Sequence, residues 1–333
     1  MFIMKKIINQ PHLAFSNALS GFSLAHANKV NVDTANNTVL RRTKKEAGKV
    51  ALVSGGGAGH EPMHAGFVGT GMLDAACMGE IFTSPTPDQM IAAAQAVDCG
   101  SGVLYLVKNY AGDMMNFEIA SEMARVTTQT VVVDDEICIS ELGSTATSRG
   151  RGIAGIIVVE KVTGALAERG ARIDECANIA RRTNERTGSI GIALSSCTVP
   201  LLACPTFSIE PDKMELGVGI HGEVGRKRVR LETADEIADI MLDQLLPALK
   251  IRSGERVLLF CNGLGATPLL ELYILFDAAA KSLGKRGIGV ARSLIGSYCT
   301  ALDMAGASIT ITKLDDEFVG LWDDQVNTVA LNW

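Results

Sequence analysis

Short apolar runs alternate with amphipathic stretches through the first half of this chain. Residues 50–53, 102–108 and 130–133 are strongly apolar, and each run is followed by glycine or polar residues. Runs of this length predict buried strands of a parallel sheet. Between them, apolar positions that recur with the helical period predict helices over residues 11–26, 87–97, 114–125 and 153–169. The alternation favours an α/β fold with a doubly wound sheet.

The same pattern restarts after a charged helix predicted over residues 174–187. A chain of 333 residues is too long for one ordinary core and suits two α/β domains. We therefore predict two domains, residues 1–187 and 188–333, each with a mostly parallel sheet flanked by helices. In the second domain we predict an antiparallel last strand at 309–314, a helix at 268–283, and further strands at 189–194, 214–220 and 256–261.

Composition and charge exclude several classes of protein. Apolar residues make up 47% of the chain, which suits packed α/β layers rather than a disordered chain. The net charge is −6, and the one short basic cluster, residues 226–230, is too small for a nucleic-acid-binding face. No stretch approaches the ~18 apolar residues of a membrane helix, and the N-terminus lacks the features of a signal peptide. The eight cysteines include no C-x-x-C pair, which favours a reducing, cytoplasmic compartment and disfavours a zinc site.

A glycine-rich segment, residues 55–62 (GGGAGHEP), follows the first predicted strand. Glycines at the carboxyl end of a strand let the backbone turn sharply and approach a ligand closely. No Lys follows them as in a phosphate-binding loop, and His60 stands where the dinucleotide fingerprint has its third glycine. The segment therefore favours a site for a small polar organic molecule. The alternative is a simple strand–helix turn.

Three ionisable side chains are predicted at strand ends beside glycines: His60, Asp113 and His221. Taken singly, each is most simply explained as a hydrogen-bonded structural residue. Their shared placement favours one cleft, because ligands of open α/β sheets bind at the carboxyl ends of the strands. A neutral imidazole at position 221 can attack a carbonyl carbon, while Asp113 or His60 can exchange protons with a substrate oxygen. No G-x-S-x-G sequence is present, which disfavours a serine hydrolase.

Five motifs in one order resemble the dihydroxyacetone-binding subunit of dihydroxyacetone kinases. They are SGGGAGHEPMH at 54–64, GEIFTSPTPD at 79–88, VKNYAGD at 107–113, GVGIHGE at 217–223 and NGLGATP at 262–268. The resemblance extends over essentially the whole chain. It implies dihydroxyacetone as the ligand, the family's two-domain α/β fold and a homodimer.

The resemblance also implies roles for individual residues. The family holds its ketone as a hemiaminal on a histidine that matches His221. Asp113 matches the acid/base residue at the substrate hydroxyl, and His60 matches the histidine that assists it. The family's substrate-contacting positions match Gly57, Ser84 and Lys108. No metal and no cofactor are implied for this chain, because the family's nucleotide lies on a separate kinase subunit, and in bacteria a third subunit passes phosphoryl groups from the phosphotransferase relay.

Three features depart from the family's pattern. Residues 140–152 lack the Tyr and the paired arginines of the usual S-L-Y-T-x-G-R-R-G segment, residues 125–130 form a short connection, and Val224 replaces a common Pro. The family includes non-catalytic relatives that bind dihydroxyacetone and act as co-activators of a transcription factor. Three functions therefore stay open. The retained Asp113 and His60 favour the substrate-binding subunit of a phosphotransferase-dependent kinase, and the altered segment favours a co-activator. A kinase for a related ketose such as erythrulose is a third candidate.

Overall fold

The computed structural model describes residues 5–42, 48–138 and 149–333 of the chain. The strands of this part of the chain are β1 (Val30–Asp33), β2 (Thr38–Arg41), β3 (Ala51–Ala58), β4 (Ala75–Ile81), β5 (Val103–Lys108), β6 (Thr128–Val133), β7 (Thr187–Ala193), β8 (Lys213–Leu216), β9 (Lys227–Arg230), β10 (Arg256–Gly263), β11 (Gly289–Gly296) and β12 (Gly306–Leu314). Its α-helices are α1 (Ala14–Ala25), α2 (Pro87–Val97), α3 (Ala111–Met123), α4 (Ile156–Glu168), α5 (Ile173–Glu185), α6 (Ala234–Ala248), α7 (Leu269–Lys285) and α8 (Asp316–Asp323).

The first sheet carries the parallel strands that the apolar runs predict. Its order within the described residues is β1-β2-β4-β3-β5-β6. Strands β4, β3, β5 and β6 pair in parallel, and β2 joins β1 and β4 by antiparallel pairing. The carboxyl ends of β3 and β5 therefore lie on the same edge of the sheet, which is where this chain concentrates glycine and polar residues.

The second sheet differs from the prediction. Its order is β11-β10-β12-β7-β8-β9, and among these described strands only β10 and β11 pair in parallel. The expectation of a mostly parallel sheet in the second domain was wrong. Parallel pairing needs a crossover connection, which α7 supplies between β10 and β11, whereas no helix of the described chain separates β7, β8 and β9. The two-domain α/β class is confirmed; the exact boundary after residue 187 stays a prediction.

Three local differences bear on the candidate site. Strand β3 continues through the glycine run instead of turning there. It can do so because a Cβ at Gly57 would lie 2.5 Å from the backbone nitrogen of Thr83, a space that only glycine leaves free. Helix α3 begins at Ala111, so Asp113 lies in its first turn. Strand β8 ends at Leu216, so His221 lies in the following loop rather than directly at a strand end.

One hydrophobic core holds the two sheets together. Side chains alternate along β10, so Val257 and Leu259 pack toward α6 and α7 while Leu258 and Phe260 face the other way. Leu258 and Phe260 belong to the same buried cluster as Leu52 of β3. Because both sheets contribute to this core, residues that each sheet directs at a shared cleft are held at fixed distances. No helix of the described residues is long and apolar enough to cross a membrane.

Candidate functional site

A cleft of about 450 Å³ opens between the carboxyl end of the first sheet and the loop after β8. Four of the predicted site residues, Gly57, Ser84, Asp113 and His221, line it. The remaining lining residues are Phe82, Tyr110, Gly112, Arg151 and Glu223. The separate motifs of the sequence therefore meet at one place, with contributions from both domains.

His221 is enclosed by aromatic rings. The centroid of its imidazole lies 4.5 Å from that of Tyr110, 4.7 Å from that of His60 and 5.4 Å from that of Phe82, each pair edge to face. Burial lowers the pKa of His221 to about 4, against the opposing effect of the Glu223 carboxylate. The imidazole is therefore neutral at physiological pH and keeps a lone pair for reaction.

Glu223 supports the loop that carries His221. Its Oε2 accepts a hydrogen bond of 2.8 Å from the backbone N–H of His221, and its Oε1 pairs with the Arg151 guanidinium. Arg151 also pairs with Glu136, a fully buried carboxylate beyond the end of β6. Burial acts to raise the pKa of Glu136, but Arg151 more than offsets it, so the carboxyl stays ionised. Arg151 thus links the two domains beside His221.

Asp113 enters the cleft from the first turn of α3. Its side chain is 5% exposed, and Oδ2 lies 3.3 Å from Nζ of Lys108, the last residue of β5. Its carboxylate therefore lies at the N-terminal end of a helix and beside an ammonium group. Lys108 is fully buried and reaches the cleft through this ion pair. Its predicted contact with substrate stays a prediction.

His60 contacts His221 through its ring and is oriented by the chain beyond β11. Its Nδ1 lies 2.7 Å from the carbonyl oxygen of Thr300, which can only accept, so Nδ1 carries the proton. Nε2 therefore has a lone pair, and no hydrogen-bond partner for it is found among the described residues. Burial, with a smaller contribution from His221, holds the pKa of His60 well below its ordinary value. The free lone pair on Nε2 would allow His60 to accept a proton from a ligand.

Gly57 and Ser84 shape the remaining wall. The close approach of β3 to the 82–83 backbone at Gly57 brings Phe82 and Ser84 to the cleft. The Ser84 hydroxyl donates to the carbonyl oxygen of Pro85 at 3.2 Å and accepts from Asn116 at 3.3 Å. It retains a lone pair with which to accept from a ligand hydroxyl.

Comparison with known proteins connects this geometry to a family. A Dak1 domain matches residues 20–330. The chain is 44% identical to the PEP-dependent dihydroxyacetone kinase, dihydroxyacetone-binding subunit, of Escherichia coli (strain K12), over 99% of each chain. It is 42% identical to the corresponding subunit of PTS-dependent dihydroxyacetone kinase 1 from Listeria innocua, over 98% of this chain and 100% of that one. The chain belongs to the Dak1 domain family.

Solved structures of two functional kinds share this Dak1 domain fold. A dihydroxyacetone kinase operon co-activator superposes with a TM-score of 0.87 at 30% identity, over 94% of this chain and 96% of that one. The dihydroxyacetone kinase of C. freundii superposes with a TM-score of 0.86 at 36% identity, over 99% of this chain and 60% of that one. The nearly equal TM-scores mean that the backbone does not separate a kinase from a co-activator.

The altered segment of this Dak1 domain is only partly described. Residues 140–148 lie outside the described residues, but the two separated arginines do not. Arg149 donates to Asp134 at 2.7 Å and to the carbonyl oxygen of Asn184 at 2.6 Å, and Arg151 joins Glu136 to Glu223. Both arginines are thus bound by acceptors within the chain.

Sequence reasoning assigned no role to several residues of the site. Glu223 stands two positions after His221, and this spacing could have indicated a carboxylate that supports the nucleophile's backbone. Arg151 gave no such signal, because its partner Glu223 is 72 positions away. His64 and Glu160, which contact Lys108 directly and indirectly, are likewise joined only by the fold.

The arrangement provides the groups for two chemical steps. A neutral imidazole faces a polar cleft and can add to a carbonyl carbon. The Asp113 carboxylate and a histidine with a free lone pair can receive a proton from a ligand hydroxyl. Among the described residues, no group of three or more His, Cys, Asp or Glu side chains is arranged to hold a metal ion.

Proposed function

We propose that this chain captures dihydroxyacetone as a covalent hemiaminal on His221 and serves as the dihydroxyacetone-binding subunit of a phosphotransferase-dependent dihydroxyacetone kinase. The observation that carries the proposal is that the half-buried, neutral His221 lines one cleft together with Asp113. The identity of 41% to 44% with dihydroxyacetone-binding kinase subunits over nearly the full chain supports the choice of ligand.

Capture follows from the protonation state of His221. The lone pair of a neutral ring nitrogen attacks the ketone carbon, and the carbonyl π electrons move to the oxygen. The alkoxide takes a proton while the ring loses its N–H proton, so the sum is the addition of N–H across C=O. The reaction needs a carbonyl group, so glycerol, which is similar in size and polarity, is rejected by chemistry rather than by shape. A four-carbon ketose such as erythrulose meets the same chemical requirement.

Proton transfer at the captured ligand is assigned to the first domain. Asp113 accepts the proton of the hydroxyl that attacks the phosphoryl group, and its ion pair with Lys108 holds the carboxylate in place. His60 assists through its free Nε2. Gly57 and Ser84 hold the ligand against these groups.

The phosphoryl donor is assigned to other subunits. This chain lacks a phosphate-binding loop, so we place the nucleotide on a separate kinase subunit that is recharged by the phosphotransferase relay, and we propose no cofactor on this chain. The open cleft leaves room for that partner to present a phosphoryl group beside Asp113. We further propose a cytoplasmic homodimer, without direct contact to nucleic acid or membrane.

A second candidate is a dihydroxyacetone-sensing co-activator that binds a transcription factor. The altered segment at 140–152 supports it, and the co-activator structure shares the fold. The kinase proposal is preferred because identity to the kinase subunits reaches 44%, against 30% to the co-activator. Both functions need the same capture step and differ only in turnover.

Capture is tested by the mass of the intact protein after incubation with dihydroxyacetone. We expect an increase of one dihydroxyacetone, abolished in His221→Ala and retained in His12→Ala, which changes an exposed histidine. An adduct that persists in His221→Ala would refute the assignment. A coupled assay with a nucleotide-loaded kinase subunit then tests turnover. Formation of dihydroxyacetone phosphate supports the kinase, and an adduct without turnover supports the co-activator.

A further inference from the structure

The Lys108 ammonium has three polar neighbours inside the first domain. Its Nζ lies 2.9 Å from the carbonyl oxygen of Gly55 and 3.1 Å from Nε2 of His64, both hydrogen bonds, and forms an ion pair of 3.3 Å with Oδ2 of Asp113. An ammonium has N–H donors and no acceptor, so it can only donate to Gly55 and His64. Nε2 of His64 must therefore present its lone pair to Lys108.

This requirement determines the tautomer of His64. A neutral imidazole with a bare Nε2 carries its proton on Nδ1, and burial holds the pKa of His64 well below its ordinary value, so the ring is neutral. Nδ1 lies 2.6 Å from Oε1 of Glu160, which accepts a hydrogen bond from the Nδ1–H group. The hydroxyl of Ser54, 3.3 Å from Nδ1, donates to the carbonyl oxygen of Leu106 and so acts toward His64 only as a second acceptor.

Glu160 lies in an environment that disfavours a carboxyl group. It projects from α4, is fully buried, and its second oxygen finds no hydrogen-bond partner among the described residues. Burial raises the pKa of its carboxyl to about 8, although Lys108 acts in the opposite direction. An apolar side chain at this position would remove that cost. Packing alone therefore does not explain a carboxyl group at this position, which indicates a role in positioning its neighbours.

We propose that His64 and Glu160 are positioning residues that orient Lys108 toward Asp113. Glu160 fixes the tautomer of His64, His64 takes the third N–H of Lys108, and the remaining donors are directed at Gly55 and Asp113. Neither residue lines the cleft. The kinetic part of the following test rests on the proposed kinase function, and the spectroscopic part does not.

The kinetic test compares two substitutions of one residue in the full-length chain with its kinase partner. Glu160→Met removes the acceptor and should lower kcat by ~10- to 100-fold with a smaller change in KM, because a small displacement of a catalytic group has an effect of this size. Glu160→Gln keeps an acceptor oxygen and should restore kcat to within about threefold of the unchanged protein. The His221 adduct should form in both variants. Glu168→Met is the control for general destabilisation. Glu168 lies on the same helix as Glu160, and its substitution breaks an ion pair with Arg41 of β2.

The spectroscopic test needs no partner and no turnover. The chain has five histidines, so the ring nitrogens of His64 can be assigned in a ¹⁵N-labelled sample by comparison with His64→Gln. We expect a neutral ring protonated on Nδ1 in the unchanged protein and a mixture of tautomers in Glu160→Met.

The outcomes separate the two proposals. A His64 ring protonated on Nε2, or on both nitrogens, overturns the positioning role whatever the assay shows. Equal loss of kcat in Glu160→Gln and Glu160→Met, or in Glu168→Met and Glu160→Met, also overturns it. If the unchanged protein shows no turnover, the proposed kinase function is refuted. The positioning role is then judged only from the His64 tautomers in the unchanged protein and in Glu160→Met.

Discussion

The two walls of the cleft surround their reactive groups in different ways. On the second-domain wall, burial makes His221 neutral, and the nearby Glu223 carboxylate is occupied by Arg151 and a backbone N–H. On the first-domain wall, the buried Lys108 forms an ion pair with Asp113. A nucleophile needs a free lone pair and a general base needs an acceptor atom for the proton of a substrate hydroxyl, so each wall suits the role proposed for it. The comparison predicts that substitutions of His221 and of Asp113 affect different steps.

The largest expected effect separates capture from turnover. Asp113→Asn removes the proton acceptor but leaves His221 untouched, so the adduct should form while turnover falls about 10³-fold. Intact mass and the coupled assay measure the two quantities on one preparation. Glu118→Gln, an exposed carboxylate on the same helix, should change neither. Loss of the adduct in Asp113→Asn would show that the walls do not act independently.

The next effect tests the connection between the walls. Arg151→Met keeps an apolar stem but leaves Glu136, which is 1% exposed, with only Arg226 at 3.4 Å as a charged partner among the described residues. We expect the free energy of unfolding to fall by about 3 kcal/mol, the usual result of removing one partner of a buried ion pair. Chemical denaturation measures this change.

The control for that substitution is an exposed ion pair. Arg256 pairs with Asp316 at 2.6 Å, but the Asp316 side chain is 94% exposed. Arg256→Met should therefore lower the free energy of unfolding by less than about 1 kcal/mol. Equal losses in the two variants would mean that Arg151 contributes no more than a surface arginine.

A smaller effect concerns the shape of the first-domain wall. The added Cβ of Gly57→Ala would lie 2.5 Å from the Thr83 nitrogen and would displace the backbone that carries Ser84. We expect roughly tenfold weaker capture of dihydroxyacetone, measured from adduct occupancy against ligand concentration. Gly21→Ala in α1, where no atom lies within 4 Å of the new Cβ, should leave occupancy unchanged. Unchanged occupancy in Gly57→Ala would indicate that the backbone around Thr83 can shift to accommodate the methyl group without changing the ligand site.

The parts of this site that were predictable from sequence are local. Strand ends followed by glycines or charged residues pointed to His60, Asp113 and His221, because the carboxyl end of a strand and the ligand site coincide in α/β sheets. The direction of the second-domain strands was not predictable, since an apolar run reads the same in parallel and antiparallel pairing.

The supporting contacts could not be predicted because they join distant positions. His60 forms a hydrogen bond with Thr300, 240 residues away, and His64 forms one with Glu160, 96 residues away. Nothing near Glu160 in the sequence marks it as part of a site, since it lies in an otherwise buried, largely apolar helix. Such contacts determine how the side chains on each wall are protonated and oriented. Sequence motifs therefore indicate which groups react, but not which contacts set their protonation and orientation.

The smallest expected effect is a shift in the pH dependence of capture. Protonated imidazole has no lone pair to add to a ketone, so capture should be constant above about pH 5 and weaken about tenfold per pH unit below the His221 pKa of about 4. Glu223 raises that pKa, so Glu223→Gln should move the midpoint to lower pH by less than about one unit, while its amide oxygen still accepts from the His221 N–H. The signal of ¹³C-labelled dihydroxyacetone measures capture at each pH.

The same pKa gives the sign of a change in stability. The pKa of His221 is lower in the folded chain than the ordinary value of 6.5, so between about pH 6.5 and 4 the unfolded chain binds more protons. His221 therefore makes no difference to stability above this range and lowers the free energy of unfolding as pH falls through it. Asp113→Asn distinguishes the two walls here, because a capture midpoint that persists in this variant belongs to His221. A midpoint near pH 6.5 would contradict the account of His221 as a nucleophile kept neutral by burial.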